Sequence, residues 1–161
     1  MIRKCSKADL PQISFIVAEA AKAYQGVIPG DCYHTPYMPQ EELERELSEM
    51  TFYGFEENGE LVGVTGFQPV KDVTLIRHAY VLPAFQRRGV GTRLLKHLIK
   101  KTRTRRLLVG TWAAASWAIR FYERNDFKLT EDKDGLLREY WRIPKKQVAN
   151  SVVLGLELNR S

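Results

Sequence analysis

The hydrophobic positions near the start of this chain follow a helical period. Leu10, Ile13 and Val17 recur three or four residues apart, which predicts an amphipathic helix over residues 9–24. Asp9 is a favourable N-cap for that helix because its carboxylate can accept a hydrogen bond from a free amide of the first turn. The same period predicts further helices over residues 41–50, 90–103 and 116–124.

After residue 50, short runs of apolar and β-branched residues between turn signals predict strands. Asn58-Gly59 is the pair favoured in tight hairpin turns. The first predicted strands form an antiparallel segment, and a strand–helix–strand (βαβ) unit follows them. This order indicates one mixed α/β domain over residues 1–161. With a short first strand included, the predicted strands are residues 2–5, 52–56, 61–67, 73–82, 107–112, 127–129, 137–143 and 151–158.

Length and composition agree with one domain. Of the 161 residues 44% are hydrophobic and 27% are charged, which suffices for one core. No segment reaches the roughly 20 apolar residues of a membrane span, and the N-terminus turns polar before a leader could form. Cys5 and Cys32 lack the spacing of a metal site or a disulfide framework. We therefore expect a cytoplasmic protein with two free thiols, no metal and no membrane partner.

The net charge of +6 suggests an anionic partner, either nucleic acid or a phosphate-rich small molecule. Much of the positive charge falls between Arg87 and Arg106. No RNA-binding motif with paired surface aromatics occurs, so nucleic acid is the less favoured partner.

Residues 86–92, Gln-Arg-Arg-Gly-Val-Gly-Thr, stand between a predicted strand and the basic helix. Gly89 and Gly91 allow successive backbone N–H groups to turn inward, and the helix adds the positive end of its dipole. Such a turn binds anions, and a pyrophosphate fits it. The dinucleotide fingerprint would need a third glycine where Leu94 stands, and no Walker sequence follows. A plain turn with solvated arginines is the alternative for this motif taken alone.

Residues 81–91 resemble the strand-and-turn signature of the GNAT acetyltransferases, usually written Q/R-x-x-G-x-G/A. Residues 118–127, Ala-Ile-Arg-Phe-Tyr-Glu-Arg-Asn-Asp-Phe, are similar to a later helix of that family, where A-x-x-F-Y-x-x-x-G-F is typical. Two motifs in the right order argue against coincidence. The resemblance implies the GNAT fold, a mixed central sheet of about seven strands with flanking helices.

The resemblance also implies an acetyl-CoA site. Pantetheine enters between two diverging strands and pairs with the backbone of Tyr80 and Val81, and the pyrophosphate lies on the turn that Gln86 begins. The family's frequent Asn before the second helix is Ala115 here, so Ser116 is the side chain that can replace its hydrogen bond. The implied cofactor-binding residues are Tyr80, Val81, Gln86, Arg87, Arg88, Gly89, Val90, Gly91, Thr92 and Ser116.

Tyr122 in the second motif matches the general acid of the family. A phenol with a pKa of about 10 is protonated at neutral pH and can donate a proton to the departing sulfur. A tyrosine that is simply packed in the core beside Phe121 is the alternative.

A general base is harder to assign. The positions that often carry Glu or His in relatives are Leu75 and Arg77 here, and neither can accept a proton. His78 is adjacent but on the opposite face of its strand, unless a β-bulge changes the alternation. His34 and an ordered water are the other options.

The acceptor site is expected near residues 26–39, whose prolines exclude regular structure and whose length is typical of a functional loop. Its aromatic residues and Met38 can line an amine pocket, and Glu41, Glu42 or Glu44 can attract a cation. A loop packed on its own aromatic residues fits equally well. The acceptor-site candidates are Tyr24, Tyr33, His34, Tyr37, Arg77 and His78.

We therefore expect an N-acetyltransferase that moves an acetyl group from acetyl-CoA to the primary amine of a small molecule or a peptide, with a homodimer as one option for its assembly. The alternative is a non-catalytic module on the same scaffold, which binds acetyl-CoA or docks on RNA. Ala115 and the missing base favour the module, whereas Tyr122 and the intact glycine turn favour the enzyme.

Overall fold

A computed structural model describes residues 1–158 of the chain. Seven strands form one sheet in the order β1-β2-β3-β4-β5-β7-β6, and helices flank it, which confirms the expected mixed α/β fold. The strands are β1 Ile2–Lys4, β2 Thr51–Glu57, β3 Glu60–Val70, β4 Val73–Val81, β5 Arg106–Trp112, β6 Lys128–Leu129 and β7 Ser151–Glu157. The helices are α1 Leu10–Ala21, α2 Gln40–Glu49, α3 Val90–Lys101, α4 Ser116–Arg124, α5 Lys133–Tyr140 and α6 Lys145–Ala149.

Within this sheet, β4 and β5 run parallel and the other neighbouring strands are antiparallel. Helix α3 connects β4 to β5 and completes the predicted βαβ unit. Asn58 and Gly59 form the predicted hairpin turn between β2 and β3, with φ angles of 53° and 80°. Positive φ at both positions is what a tight hairpin of this kind requires.

The two faces of the sheet carry different helices. Phe52 of β2 packs in a buried cluster with Ile13 of α1 and with α2, whereas Phe55, an odd number of residues further along, packs with α3. Gly63 of β3 permits the close approach of α3, because a Cβ there would lie 2.8 Å from Val90 Cγ1. Side-chain alternation along β2 therefore separates the α1 and α2 layer from the α3 layer.

The prediction of a strand over residues 137–143 is wrong, because this segment begins inside α5. The Asp132 carboxylate caps that helix by accepting a hydrogen bond from the Gly135 amide at 3.2 Å. Leu137 and Tyr140 then pack at helical spacing in one cluster with β5 and β7. An apolar run this short fits a helix or a strand by its period alone. Helix α6 follows where no element was predicted.

Asp9 precedes α1 as predicted, but its carboxylate does not cap that helix. It accepts hydrogen bonds of 2.7 and 2.9 Å from the Arg3 guanidinium and one of 2.8 Å from the Ser6 amide. Arg3 also donates to Glu56 at 2.7 Å, so one guanidinium joins β1, the start of α1 and β2. The hydrogen bonds from Arg3 hold the pKa of the Asp9 carboxyl below its ordinary value.

No helix within residues 1–158 combines the length and the apolar character that a membrane crossing requires.

We expect Asp9→Asn to lower the free energy of unfolding at neutral pH by about 2 kcal/mol, because the charge-assisted bonds from Arg3 weaken. The native pKa of Asp9 is depressed, so this stabilisation exists above the ordinary carboxyl pKa of 3.8 and is lost as the pH falls through the native value. Denaturant unfolding of both proteins should therefore show a difference at neutral pH that shrinks in acid.

Glu19→Gln is the control, because its 2.9 Å pair with Lys22 is solvent-exposed on the lysine side. Such a pair contributes at most about 1 kcal/mol. Equal losses from the two substitutions at neutral pH would contradict the role given to Asp9.

Candidate active site

The strands β4 and β5 pair over only part of their length. Their last paired residues are Ile76 and Val109, and beyond them β4 continues to Val81 and β5 to Trp112 without pairing to each other. A narrow cleft of about 80 Å³ lies in this gap. Its lining includes both strands and three side chains from outside them, Tyr24, Ala118 and Tyr122.

A β-bulge interrupts β4 beside the cleft. Thr65 of β3 stands opposite two residues of β4, His78 and Ala79, and His78 adopts a φ of 56°. A positive φ is uncommon outside glycine, although histidine adopts it more often than most residues. The bulge changes the alternation along the strand, so Arg77 and His78 both face the same large cavity. His78 therefore meets the condition on which its candidacy depended.

Tyr122 combines a packed ring with a position on the cleft. It is 5% exposed, and its ring contacts Phe121 and Phe127 with centroid distances of 5.1 and 5.5 Å. Burial, with a smaller contribution from Tyr24, raises the pKa of its hydroxyl above the ordinary value. Burial also raises the pKa of Tyr24 and of Tyr80. These hydroxyls thus hold their protons at neutral pH.

The turn before α3 has the form of an anion site. Arg87 and Gly89 have φ angles of 65° and 83°, and the Gln86 side chain donates to the Val81 carbonyl at 3.0 Å. Within residues 1–158, no backbone amide from Arg87 to Thr92 makes a well-aligned hydrogen bond to an acceptor, whereas Arg93 donates to the Gly89 carbonyl at 3.0 Å. Consecutive free N–H groups at the start of a helix bind anions well.

Gly91 has a packing role beside that turn. A Cβ at this position would lie 3.4 Å from the ring of Phe121, at the lower limit of ordinary contact, so α3 and α4 pack closely here. Ser116 opens α4 and is exposed, but it does not line the cleft. Ala118, two residues later, lines it instead.

A larger cavity of about 930 Å³ adjoins the cleft and shares Tyr24, His78 and Tyr80 with it. Five of the acceptor-site candidates line this cavity, namely Tyr24, His34, Tyr37, Arg77 and His78. Tyr33 does not, although its ring lies 5.9 Å from that of Tyr37. Of the three carboxylates considered, Glu42 lines the cavity and Glu41 and Glu44 do not.

The aromatic residues of the loop both pack it and line the cavity. The Trp112 indole donates a 2.9 Å hydrogen bond to the Tyr37 hydroxyl, and the ring of Tyr37 lies 5.4 Å from that of Tyr24. The two interpretations of this loop are therefore compatible. The cavity also uses residues that the sequence did not indicate, Tyr140 to Ile143, because their segment was predicted as a strand.

Glu46 of α2 is another cavity residue that the sequence did not indicate. It is 8% exposed, and its Oε1 lies 3.1 Å from Arg77 Nη2 and 3.3 Å from His78 Nε2. Burial alone would raise the pKa of Glu46, but the His78 hydrogen bond and the charge of Arg77 outweigh it and lower that pKa. The available signal was its helical spacing from Leu43, which places a carboxylate on the apolar face of α2.

The sequence of this chain matches that of a known protein family. The sequence profile described as the Acetyltransferase (GNAT) family matches residues 16–127, which contain the glycine turn and Tyr122. The chain belongs to the GNAT acetyltransferase family. The expected family is thereby confirmed. No curated protein matches the chain at a significant level.

Several solved structures share the fold of this GNAT chain. The ribosomal-protein-S18-alanine N-acetyltransferase of Escherichia coli is 19% identical with a TM-score of 0.73, over 100% of this chain and 95% of that one. The PaiA N-acetyltransferase of Thermoplasma acidophilum, solved with coenzyme A, is 20% identical with a TM-score of 0.76, over 98% of each chain. A GNAT acetyltransferase of Elizabethkingia anophelis with acetyl-CoA bound is 20% identical with a TM-score of 0.69, over 98% and 97%.

Proposed function

We propose that this chain is an acetyl-CoA-dependent N-acetyltransferase that acts on the primary amine of a small molecule or a peptide. The row of amides from Arg87 to Thr92 carries the proposal, because none of them has a well-aligned acceptor among the described residues 1–158. This turn follows the end of β4, the strand that borders the cleft. A ligand whose anionic group binds at the turn can therefore place an attached arm between β4 and β5. A pyrophosphate joined to a pantetheine arm has this shape and charge.

The cofactor would be held by backbone groups more than by side chains. Gln86 to Thr92 would bind the pyrophosphate, and the unpaired edge of β4 around Tyr80 and Val81 would pair with pantetheine. Ser116 is a weaker candidate because it does not line the cleft. Structural neighbours of this chain hold CoA or acetyl-CoA, which agrees with such a site.

Tyr122 would serve as the general acid. Its pKa is raised by burial, so the hydroxyl keeps its proton, and its position on the cleft gives it access to a sulfur between β4 and β5. Departure of CoA as a thiol requires a proton donor at this point. The adjoining cavity, with its mixture of aromatic and charged side chains, would hold the acceptor amine.

The proposal is tested by measuring CoA release with a panel of amines and acetyl-CoA binding by calorimetry. We expect both binding and turnover. Binding without turnover of any amine would favour the non-catalytic module, and the absence of both would refute the cofactor site.

We expect Gly89→Ala to weaken acetyl-CoA binding several-fold, because a Cβ strains the left-handed backbone that aims the amides. Gly59→Ala is a matched control: the φ angles are 83° and 80°, and neither Cβ would meet an atom within 4 Å. Both substitutions should cost about 1 kcal/mol of stability. Calorimetry should show weaker binding for Gly89→Ala alone, and equal binding by the two variants would speak against the turn as the phosphate site.

We expect Tyr122→Phe to lower kcat by at least about tenfold and to leave the Kd of acetyl-CoA within about twofold of wild type, because the substitution removes only the proton donor. Steady-state kinetics and calorimetry on the same preparation measure the two effects. Parallel losses in kcat and binding would assign Tyr122 to packing.

A further inference from the structure

We propose that Nδ1 of His78 is the proton acceptor of the acetyl transfer and that Glu46 is the residue that positions it. The inference rests on the proposed function, since it assigns the base that this chain lacks at the usual positions. Leu75 is buried in the sheet core and Arg77 holds a permanent charge, so neither can take a proton.

Two contacts and the backbone conformation hold the His78 ring. Its Nε2 lies 3.3 Å from Glu46 Oε1, and its face stacks on Phe52 with a centroid distance of 6.0 Å and an interplanar angle of 7°. The positive φ at the bulge sets the direction of its Cβ. The side chain is 14% exposed, so the ring is fixed and yet open to the cavity and the cleft that it lines.

The Glu46 contact determines which ring nitrogen is basic. The lowered pKa of Glu46 keeps the carboxylate ionised, and an ionised carboxylate only accepts hydrogen bonds. Nε2 must therefore carry the ring hydrogen of the neutral imidazole, which leaves the lone pair on Nδ1. Within residues 1–158, the imidazole makes no hydrogen bond other than the one to Glu46, so Nδ1 is available to a substrate.

Arg77 fixes the carboxylate in turn. It donates to Glu46 Oε1 at 3.1 Å and to the Gln68 side chain at 3.4 Å, which ties α2 to β3 and β4. The arginine at the usual base position therefore has a supporting role here. His34, by comparison, is exposed in the loop, and its side chain makes no hydrogen bond to any of the residues that the structure describes.

His78 and Tyr122 account for the protons that are removed and added during the acetyl transfer. The amine nitrogen attacks the thioester carbonyl, and as the N–C bond forms, Nδ1 of His78 takes the proton that the nitrogen loses. The C–S bond then breaks, and the Tyr122 hydroxyl gives its proton to the sulfur. Exchange with water returns a proton from the imidazolium to the phenolate. The products are the acetylated amine and CoA thiol.

The first test is His78→Asn, because asparagine also tolerates positive φ and keeps the bulge while removing the base. We expect kcat to fall by about 10²-fold or more with little change in the KM for acetyl-CoA, and added imidazole to restore part of the activity. His97→Gln on α3 is the control and should keep wild-type kcat. A fully active His78→Asn, or one that imidazole cannot rescue, overturns the assignment.

The second test is Glu46→Gln, which keeps the shape and an acceptor oxygen but removes the charge that stabilises the imidazolium. We expect a loss in kcat on the order of tenfold with an unchanged KM for acetyl-CoA. Glu41 on the same helix is exposed and does not line the cavity, so Glu41→Gln should have wild-type kinetics. Equal kinetics of the two variants would remove Glu46 from the mechanism.

Imidazole ¹⁵N NMR supplies a readout that does not depend on turnover. The chain has three histidines, so substitution of His97 and of His34 assigns the His78 signals directly. We expect the Nε2–H tautomer for neutral His78. The Nδ1–H tautomer would overturn the inference even if the enzyme is active.

The outcomes separate the two proposals. If wild type acetylates an amine and His78→Asn does so equally, the proposed function stands and the assigned base is wrong. If wild type binds acetyl-CoA but acetylates no amine, the proposed function is wrong, and the assignment of His78 as the base is wrong with it.

Discussion

The site of this chain depends on the separation of two parallel strands. After Ile76 and Val109, β4 and β5 no longer share hydrogen bonds, and each keeps its other edge paired, to β3 and to β7. Their facing edges are therefore open to other hydrogen-bond partners. A chain that carries amides, such as pantetheine, can supply them. The bulge of β4 and the turn before α3 both lie along the strand that borders this gap.

The two sides of the gap differ in charge, and burial controls the protonation state of the side chains beside it. On the side proposed for the cofactor, residues 73–122 contain 11 Lys and Arg and no Asp or Glu, so this segment produces a positive field that favours phosphate groups. On the acceptor side, the carboxylate of Glu46 is buried but balanced by Arg77 and His78. Tyr122 lines the cleft between β4 and β5, where burial keeps a phenol neutral. The fold thus keeps one buried carboxylate ionised through paired charges and one buried phenol protonated through burial.

Where sequence reasoning succeeded, the pattern was long or had a specific turn chemistry. The amphipathic period of α3 and the Asn58-Gly59 hairpin needed no tertiary information. It failed at residues 137–143, because a short apolar run fits two periods and the Asp132 cap was overlooked. Asp9 was misjudged for a related reason: the carboxylate can cap α1 in isolation, but Arg3 on β1 is a stronger partner in the fold.

By itself, the sequence predicted the residues of the proposed cofactor site, since Gly89, Gly91 and Tyr122 belong to local motifs. The tertiary structure decided which of the predicted acceptor-site candidates line one cavity, and it added Glu46 to them. Glu46 and His78 are separated by 32 residues and meet only because α2 packs against the bulged strand. A bulge interrupts the regular alternation of side chains, so the sequence pattern does not reveal it. Adjacent residues determine local hydrogen bonds, whereas a contact between a helix and a distant strand exists only once the core has formed.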